Sequence, residues 1–447
     1  MRSLKAIITE PGQTSIKILV ACVTSLLTAR LLWLVHRCAV DLLFWDQWDF
    51  WAGLFDKANL WTLWRWQHGP QRQGLGQWII ALIAWASDWN LRAEQLVSTL
   101  LAPLAAVVSL ATVRSLRGRW SVSDCFIPIA IITVSMLGVA TVVPNLSHGL
   151  LPLLLVMICA YFVQVNDERT KVLGFALTAT LCAQTGFTWI MAVLAVPLLL
   201  VFLVGALRAR LRATWHAVGV AAVCGSLGLQ FYHFPFTPAV TCFRFPDPHP
   251  FRYLQFIGVM VLRTTEVIEP WAYPFGLVAA LLAVGLALWC GWRTVVTAGK
   301  DRRATTVFVL SSFSLAFAAN AAVGRVCLGI AAGSAERYVP YMLPLAVAVY
   351  LFVALGPRFR RLRQAVLVAC FALAAVKETA LAGTALREAD HYRRIKASFR
   401  TCYLGGATMK ACLARGLIHP DPEYTHLQEK LDYLRIHRLS LFRGLPK

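Results

Sequence analysis

The chain has 447 residues, of which 58% are apolar, and carries a formal net charge of +21. An apolar share above the roughly 45–50% of soluble proteins excludes an ordinary soluble domain, and the recurring apolar runs are long enough for a hydrocarbon core of roughly 30 Å. Nucleic acid is excluded as the reason for the charge, because Lys and Arg sit in short clusters between apolar runs, the positive-inside pattern of a polytopic membrane protein.

The first predicted element is a span near 17–37. Met1-Arg2-Ser3-Leu4-Lys5 and the apolar run from Ile18 to Val35 imitate a signal peptide. The run is too long for one, and no small-x-small cleavage site follows it, so a retained span is expected. Arg30 inside this span is costly in lipid and should face protein or water. Further spans are predicted near 92–113, 124–143, 148–165, 171–183, 188–207, 215–232, 273–292, 304–323, 338–355 and 364–383, eleven in all. The basic clusters are then Arg2/Lys5, Arg114/Arg117/Arg119, Arg169/Lys171, Arg208/Arg210/Arg212, Arg293/Lys300/Arg302/Arg303 and Arg358/Arg360/Arg361/Arg363. All fall on one side, the cytoplasmic one.

That agreement forces two exceptions. Residues 73–89 are apolar, but a crossing there would turn the Arg114–Arg119 cluster outward. They are predicted to lie on the membrane as an interfacial helix, with apolar positions at helical spacing. The same argument makes 253–270 a second interfacial or re-entrant helix. An odd span count leaves 384–447 outside as a small C-terminal region, beside a transmembrane domain over 1–383 with external loops at 39–91 and 233–270. In an oxidising compartment Cys402 and Cys412 of that tail pair. Cys242 has Cys327 as its candidate partner. The sequence contains neither a Cys/His spacing typical of zinc nor a glycine-rich phosphate loop.

The densest chemistry follows the first span, in Trp45-Asp46-Gln47-Trp48-Asp49-Phe50-Trp51. Clustered tryptophans suit an aqueous–apolar interface, and Asp46 and Asp49, three apart, share one face of a helix. One loop later comes His68-Gly69-Pro70-Gln71-Arg72, where Arg72 offers a bidentate fork for a phosphate. Arg337, with Glu336 and Tyr338, opens span ten on the outer side, and Arg325 closes the same short loop. His148 and Gln184 fall in short external turns. His233, Arg244, Asp247 and His249 give the 233–270 loop the look of a lid.

Three stretches resemble the C-type superfamily of membrane glycosyltransferases (GT-C), most closely its bacterial multi-span members. They are Phe44 to Phe50, His68 to Arg72, and Ala335-Glu336-Arg337-Tyr338-Val339-Pro340. In the second, the family pattern His-Asn-Glu-His-Arg is matched at His68 and Arg72 and departed from at Gly69, Pro70 and Gln71. The tail's Leu439-Ser440-Leu441-Phe442 is similar as well. The resemblance implies an all-α GT-C-like bundle in the bacterial inner membrane. It also implies a polyprenyl-phosphate sugar donor, a glycan or lipid acceptor, and a catalytic carboxylate in the first external loop. Asp46 and Asp49 are then the catalytic candidates, as base or as holders of a divalent cation (Mg or Mn). His68, Arg72, Arg325, Arg337 and Tyr338 are the substrate-binding candidates. The rival readings are a transporter or flippase of lipid-linked glycans and a non-catalytic scaffold of the same architecture.

Overall fold

The computed structural model describes residues 12–142, 145–209, 213–238, 240–263, 272–356, 360–423 and 425–444. The predicted positions Arg2, Lys5, Arg210, Arg212 and Arg358, and the 264–270 part of the second interfacial helix, lie outside them. In chain order the helices are α1 (Gln13–Cys38), α2 (Gln47–Phe50), α3 (Ala52–Phe55), α4 (Leu60–Arg65), α5 (Leu75–Ala86), α6 (Leu91–Arg117), α7 (Phe126–Ile131), α8 (Leu137–Thr141), α9 (Leu150–Phe162) and α10 (Glu168–Ala183). They continue with α11 (Trp189–Arg208), α12 (Thr214–Phe231), α13 (Phe251–Arg263), α14 (Ala272–Val296), α15 (Arg302–Arg325), α16 (Val339–Ala354), α17 (Arg360–Leu404), α18 (Met409–Leu413) and α19 (Leu427–His437). A two-residue hairpin, β1 (Gln67–His68) with β2 (Gln71–Arg72), is the one sheet among the described residues.

The protein is all-α and polytopic. Among the described residues, eight helical segments are long and apolar enough to cross a membrane, not the eleven expected: Gln13–Cys38, Leu91–Arg117, Val122–Thr141, Gly186–Arg208, Tyr273–Val296, Arg302–Leu328, Glu336–Ala354 and Leu367–Leu404. The other three expected crossings are helices too, but α9 has 13 residues and reaches only about 20 Å. Helix α10 spends its first turn on Glu168, Arg169 and Lys171, and Thr214, His216 and Gln230 dilute the ends of α12.

Side-chain contacts define two ends of the bundle. At one end the basic residues gather: Arg117 pairs with Asp124, Arg302 donates to the carbonyl of Gln164 at 3.1 Å, and Arg169 lies 4.4 Å over the Trp215 ring. At the other end Leu75 N–H donates to the carbonyl of Gln184 at 2.7 Å, and Ser147 Oγ donates to that of Gln73 at 2.7 Å. Helices α9, α10, α11 and α12 therefore run back and forth between the same two ends.

Arg30 meets the expectation that it avoids lipid. It pairs with Glu378 of α17 at 2.9 Å, and Glu378 also accepts from Val134 N–H at 2.8 Å, where the chain breaks after α7. A buried charge is tolerable when paired and hydrogen-bonded in this way.

Helix α5, at 12 residues, is too short to cross. It buries Ile80, Ala81 and Ala84 and exposes Trp78, Leu82 and Trp85. Helix α13 is not a free surface helix. It buries Phe256 and Met260 and crosses α14 at Gly258 and Gly276, whose backbones touch closely enough that any Cβ would collide.

Helix α17 has 45 residues, about 68 Å, more than twice a hydrocarbon core. It runs through position 383 without a break and ends at the first-loop side. There Phe399, Ile418, Leu427, Leu431 and Phe442 share one apolar core with Leu42, Phe44, Trp48, Trp51 and Trp89. Cys402 and Cys412 are joined by a disulfide. Lys396 of α17 is buried and donates to the carbonyl of Thr141 at 2.7 Å, covering an orphan carbonyl at the end of α8.

Candidate functional site

A cavity of about 1120 Å³ opens at the first-loop end of the bundle. Five of the predicted site residues line it: Asp46, His68, Arg325, Arg337 and Tyr338. Asp46 gets there through a tight turn. Trp45 adopts a positive φ of 51°, and its N–H is held by the carbonyl of Ile418 at 2.8 Å. The Asp46 side chain caps nothing, although the residue precedes the single turn of α2, so its exposed carboxylate is free for a ligand. His68 sits in the β1–β2 hairpin, whose turn uses Gly69 at φ 56°. The edge of the Phe50 ring fixes it at 4.7 Å.

Arg325 ends α15. Arg337 and Tyr338 form the 3-10 turn that opens α16. Arg337 is exposed and lies 5.5 Å over the Tyr338 ring. Tyr338 is 4% exposed, and its hydroxyl interacts with the Arg325 guanidinium. Asp46 and Arg337 are both among the charges acting on Arg325. The cavity thus holds a free carboxylate and two guanidinium groups that sense each other.

His148, one of the predicted external-turn residues, also lines the cavity. Burial, followed by the charges of His68, Arg325 and Arg337, pushes its imidazole down to about 3. The ring is therefore neutral at physiological pH. Gln71 and Gln230 line the same floor.

Two predicted residues do not line the cavity. Asp49 turns toward the tail, where its carboxylate accepts from Thr425 at 2.9 Å and lies 3.6 Å from His419. Burial pushes its carboxyl up, but His419, Thr425 and the Lys430 ammonium outweigh that and hold it below the usual carboxylate range. The spacing argument put Asp46 and Asp49 on one helical face; the tail claims Asp49 instead, and α2 is a single turn. Arg72 is 1% exposed. It donates to the carbonyls of Leu229 (3.3 Å), Gln230 (2.7 Å), Tyr232 (3.0 Å) and His233 (3.3 Å), between the rings of Trp64 and Phe234. Those carbonyls lie in the last turn of α12 and just beyond it, where helical acceptors run short of partners. Arg72 builds the cavity wall rather than facing a phosphate.

Asp46 and Asp49, weighed as holders of a divalent cation, face different surroundings, the cavity and the tail. Among the described residues, no group of three or more His, Cys, Asp or Glu side chains is arranged to hold a metal ion.

The remaining wall is aromatic. Phe231 at the end of α12 lines it, with Phe234, Phe236, Phe243 and Phe245 of the 233–250 loop, which the Cys242–Cys327 disulfide ties beside Arg325. Arg252, in the first turn of α13, bridges Asp247 of that loop and the carbonyl of Val326. Glu388 and Tyr392 of α17 close the cavity from the tail side. No local signal marked these two, since only the path of α17 brings them there. Comparison with protein-family models, curated proteins and solved structures finds no match to the chain.

Proposed function

We propose that the protein is a membrane glycosyltransferase with an eleven-crossing, GT-C-like bundle. It moves a sugar from a polyprenyl-phosphate carrier to a cell-envelope glycan or lipid, on the periplasmic side of a bacterial cytoplasmic membrane. The observation that carries this reading is the shared cavity: the free carboxylate of Asp46 faces the same space as Arg325 and Arg337.

The chemistry follows from that set. Asp46 accepts the proton of the acceptor hydroxyl. The acceptor oxygen bonds to the anomeric carbon as the bond from that carbon to the phosphate oxygen breaks. The electron pair leaves with the lipid phosphate, and Arg325 and Arg337 take up its growing charge at little reorganisation cost. The aromatic wall gives the lipid end of the donor an apolar surface, and Glu388 and Tyr392 border the acceptor side. Sidedness is supported twice over. Both disulfides lie at the cavity end, as an oxidising compartment requires, and the basic clusters lie at the other end. One acidic residue within a span, Glu378, is paired with Arg30 rather than left to move protons, which supports the enzyme reading over a coupled transporter at that position.

The test is transfer by the purified protein in nanodiscs, from polyprenyl-phosphate sugars to a membrane-glycan acceptor fraction. The reading requires transfer by wild type and loss in Asp46→Asn and Arg337→Ala. Equal product from wild type and both variants would refute it.

A further inference from the structure

The floor of the cavity is built from polar groups that the protein itself leaves without partners. Gln71 is 6% exposed and Gln230 1% exposed, and neither amide oxygen has a hydrogen-bond partner among the described residues. Nε2 of His148 is likewise buried without a partner. The amide nitrogen of Gln71 lies 3.4 Å from His148 Nδ1. With the Gln71 amide nitrogen donating in that contact, Nδ1 is the acceptor and the ring proton sits on Nε2. The backbone below is held rigidly. Arg72, next to Gln71, donates to the carbonyl of Gln230 at 2.7 Å and so joins the two glutamines' strands of wall. Phe50 and Phe187 pack on the His148 ring at 5.8 Å and 6.0 Å.

Buried groups of this kind are costly unless something bonds them. All three residues line the one cavity, and that points to a ligand. Their chemistry says which kind. The set offers one N–H donor and two amide acceptors, all uncharged, because the imidazole is neutral at physiological pH. Alternating donors and acceptors without charge match hydroxyl groups, each of which both gives and takes a hydrogen bond. A carboxylate or an ammonium on the ligand would be desolvated there with no counter-charge on the floor. The terminal torsion of glutamine is soft, so either amide can turn toward a ligand at small cost.

We infer that Gln71, His148 and Gln230 form a recognition floor for the hydroxyl groups of a neutral sugar ring. This rests on the glycosyl-transfer reading and adds a substrate class to it: the sugar carried by the lipid phosphate is uncharged, and these residues orient it between Asp46 and the arginines. They are positioning and specificity residues; none takes part in bond exchange.

The experiment is calorimetric binding to the full chain in nanodiscs. The probes are decaprenyl phosphate alone, decaprenyl phosphate bearing neutral pentoses and hexoses, and the uronate and amino-sugar counterparts. Wild type is expected to bind at least one neutral-sugar lipid about tenfold or more tighter than the bare lipid phosphate, and tighter than either charged-sugar lipid, each hydrogen bond being worth about tenfold or less. His148→Phe keeps the ring packing and Gln230→Met keeps the volume. Each is expected to bring the neutral-sugar lipid down to the affinity of the bare phosphate, with the bare phosphate unchanged. Equal binding of bare and neutral-sugar lipids by wild type, or preference for a charged sugar, overturns the floor alone. So does an undiminished neutral-sugar preference in both folded variants. Failure of every lipid phosphate to bind wild type overturns the glycosyl-transfer reading and the floor together. The wild-type comparison across lipids decides the matter even if a variant does not fold.

Discussion

Asp46, in the turn after the first helix, and Arg337, in the turn that opens α16, line the same cavity although nearly the whole bundle separates them in sequence. Opposite charges facing one space from distant parts of the chain are not a packing necessity. Asp46 caps no helix, and Arg337 lies outside every ion pair found among the described residues. Both charges remain available to a ligand.

Asp46→Asn should abolish sugar transfer while leaving the fold intact. The carboxylate is exposed and makes no cap, so an isosteric change costs little stability. Loss of the base should lower the rate by roughly 10²–10⁴-fold. Initial-rate assays alongside thermal unfolding check this. A rate within about threefold of wild type would remove Asp46 from the mechanism.

Asp49→Ala should act differently, because Asp49 ties the first loop to the tail through Thr425 and His419. Leaving these partners unpaired should cost about 1–3 kcal/mol. Protease cleavage should then speed up within 405–444, with the rate of the intact fraction little changed. Loss of activity with no change in cleavage would instead return Asp49 to the chemistry.

Arg72→Lys should not rescue Arg72→Met. One ammonium cannot cover four carbonyls spread from Leu229 to His233. Both variants should lose at least one charge-assisted hydrogen bond, about 1.5–3 kcal/mol. They should raise KM more than they lower kcat, since the wall carrying Gln230 loosens. Denaturant titration and steady-state kinetics read the two effects. A fully stable Arg72→Lys would contradict the capping role.

His148 gives stability a pH dependence of known sign. Its imidazole is held at about 3 when folded, against about 6.5 when unfolded. The unfolded state therefore binds the extra proton as pH falls. Stability is full above about pH 6.5 and declines from there toward about pH 3, by up to roughly 1.4 kcal/mol per pH unit from this group. His148→Phe should flatten that part of the melting-temperature profile. An unchanged slope between pH 6.5 and 4 would place the proton uptake elsewhere.

What local pattern could reveal and what it could not divide along physical lines. Apolar runs and basic clusters report burial in lipid, so the expected crossings are helical, the one at 124–143 being broken between α7 and α8. Local pattern did not show how short α9 is or that α10 spends its first turn on charged residues. Arg30 was legible as a charge needing protein, and Glu378 answers it. Asp46 and Arg337 were legible because a charged residue at a bundle end, flanked by aromatics, has few structural uses. Asp49 and Arg72 misled for one reason: each is claimed by a segment hundreds or scores of positions away, the tail in one case and the end of α12 in the other. Spacing along a helix carries no record of such partners. Of the cavity-floor glutamines, Gln71 was marked only as a departure within the His68–Arg72 motif, and Gln230 had no signal. A buried glutamine becomes conspicuous only when the wall around it leaves its oxygen unbonded.

The central claim is that one cavity holds the lipid phosphate and the acceptor side of the same sugar. A cryo-EM structure of the full chain in nanodiscs with a decaprenyl-phosphate sugar bound tests it most directly. The account predicts the phosphate in hydrogen-bond reach of Arg337 and Arg325. It places the sugar over Gln71, His148 and Gln230, and Asp46 on its far side, roughly 8–15 Å from the Arg337 guanidinium. A phosphate bound outside this cavity, or Arg337 turned to the surrounding lipid with the sugar remote from Asp46, would contradict it.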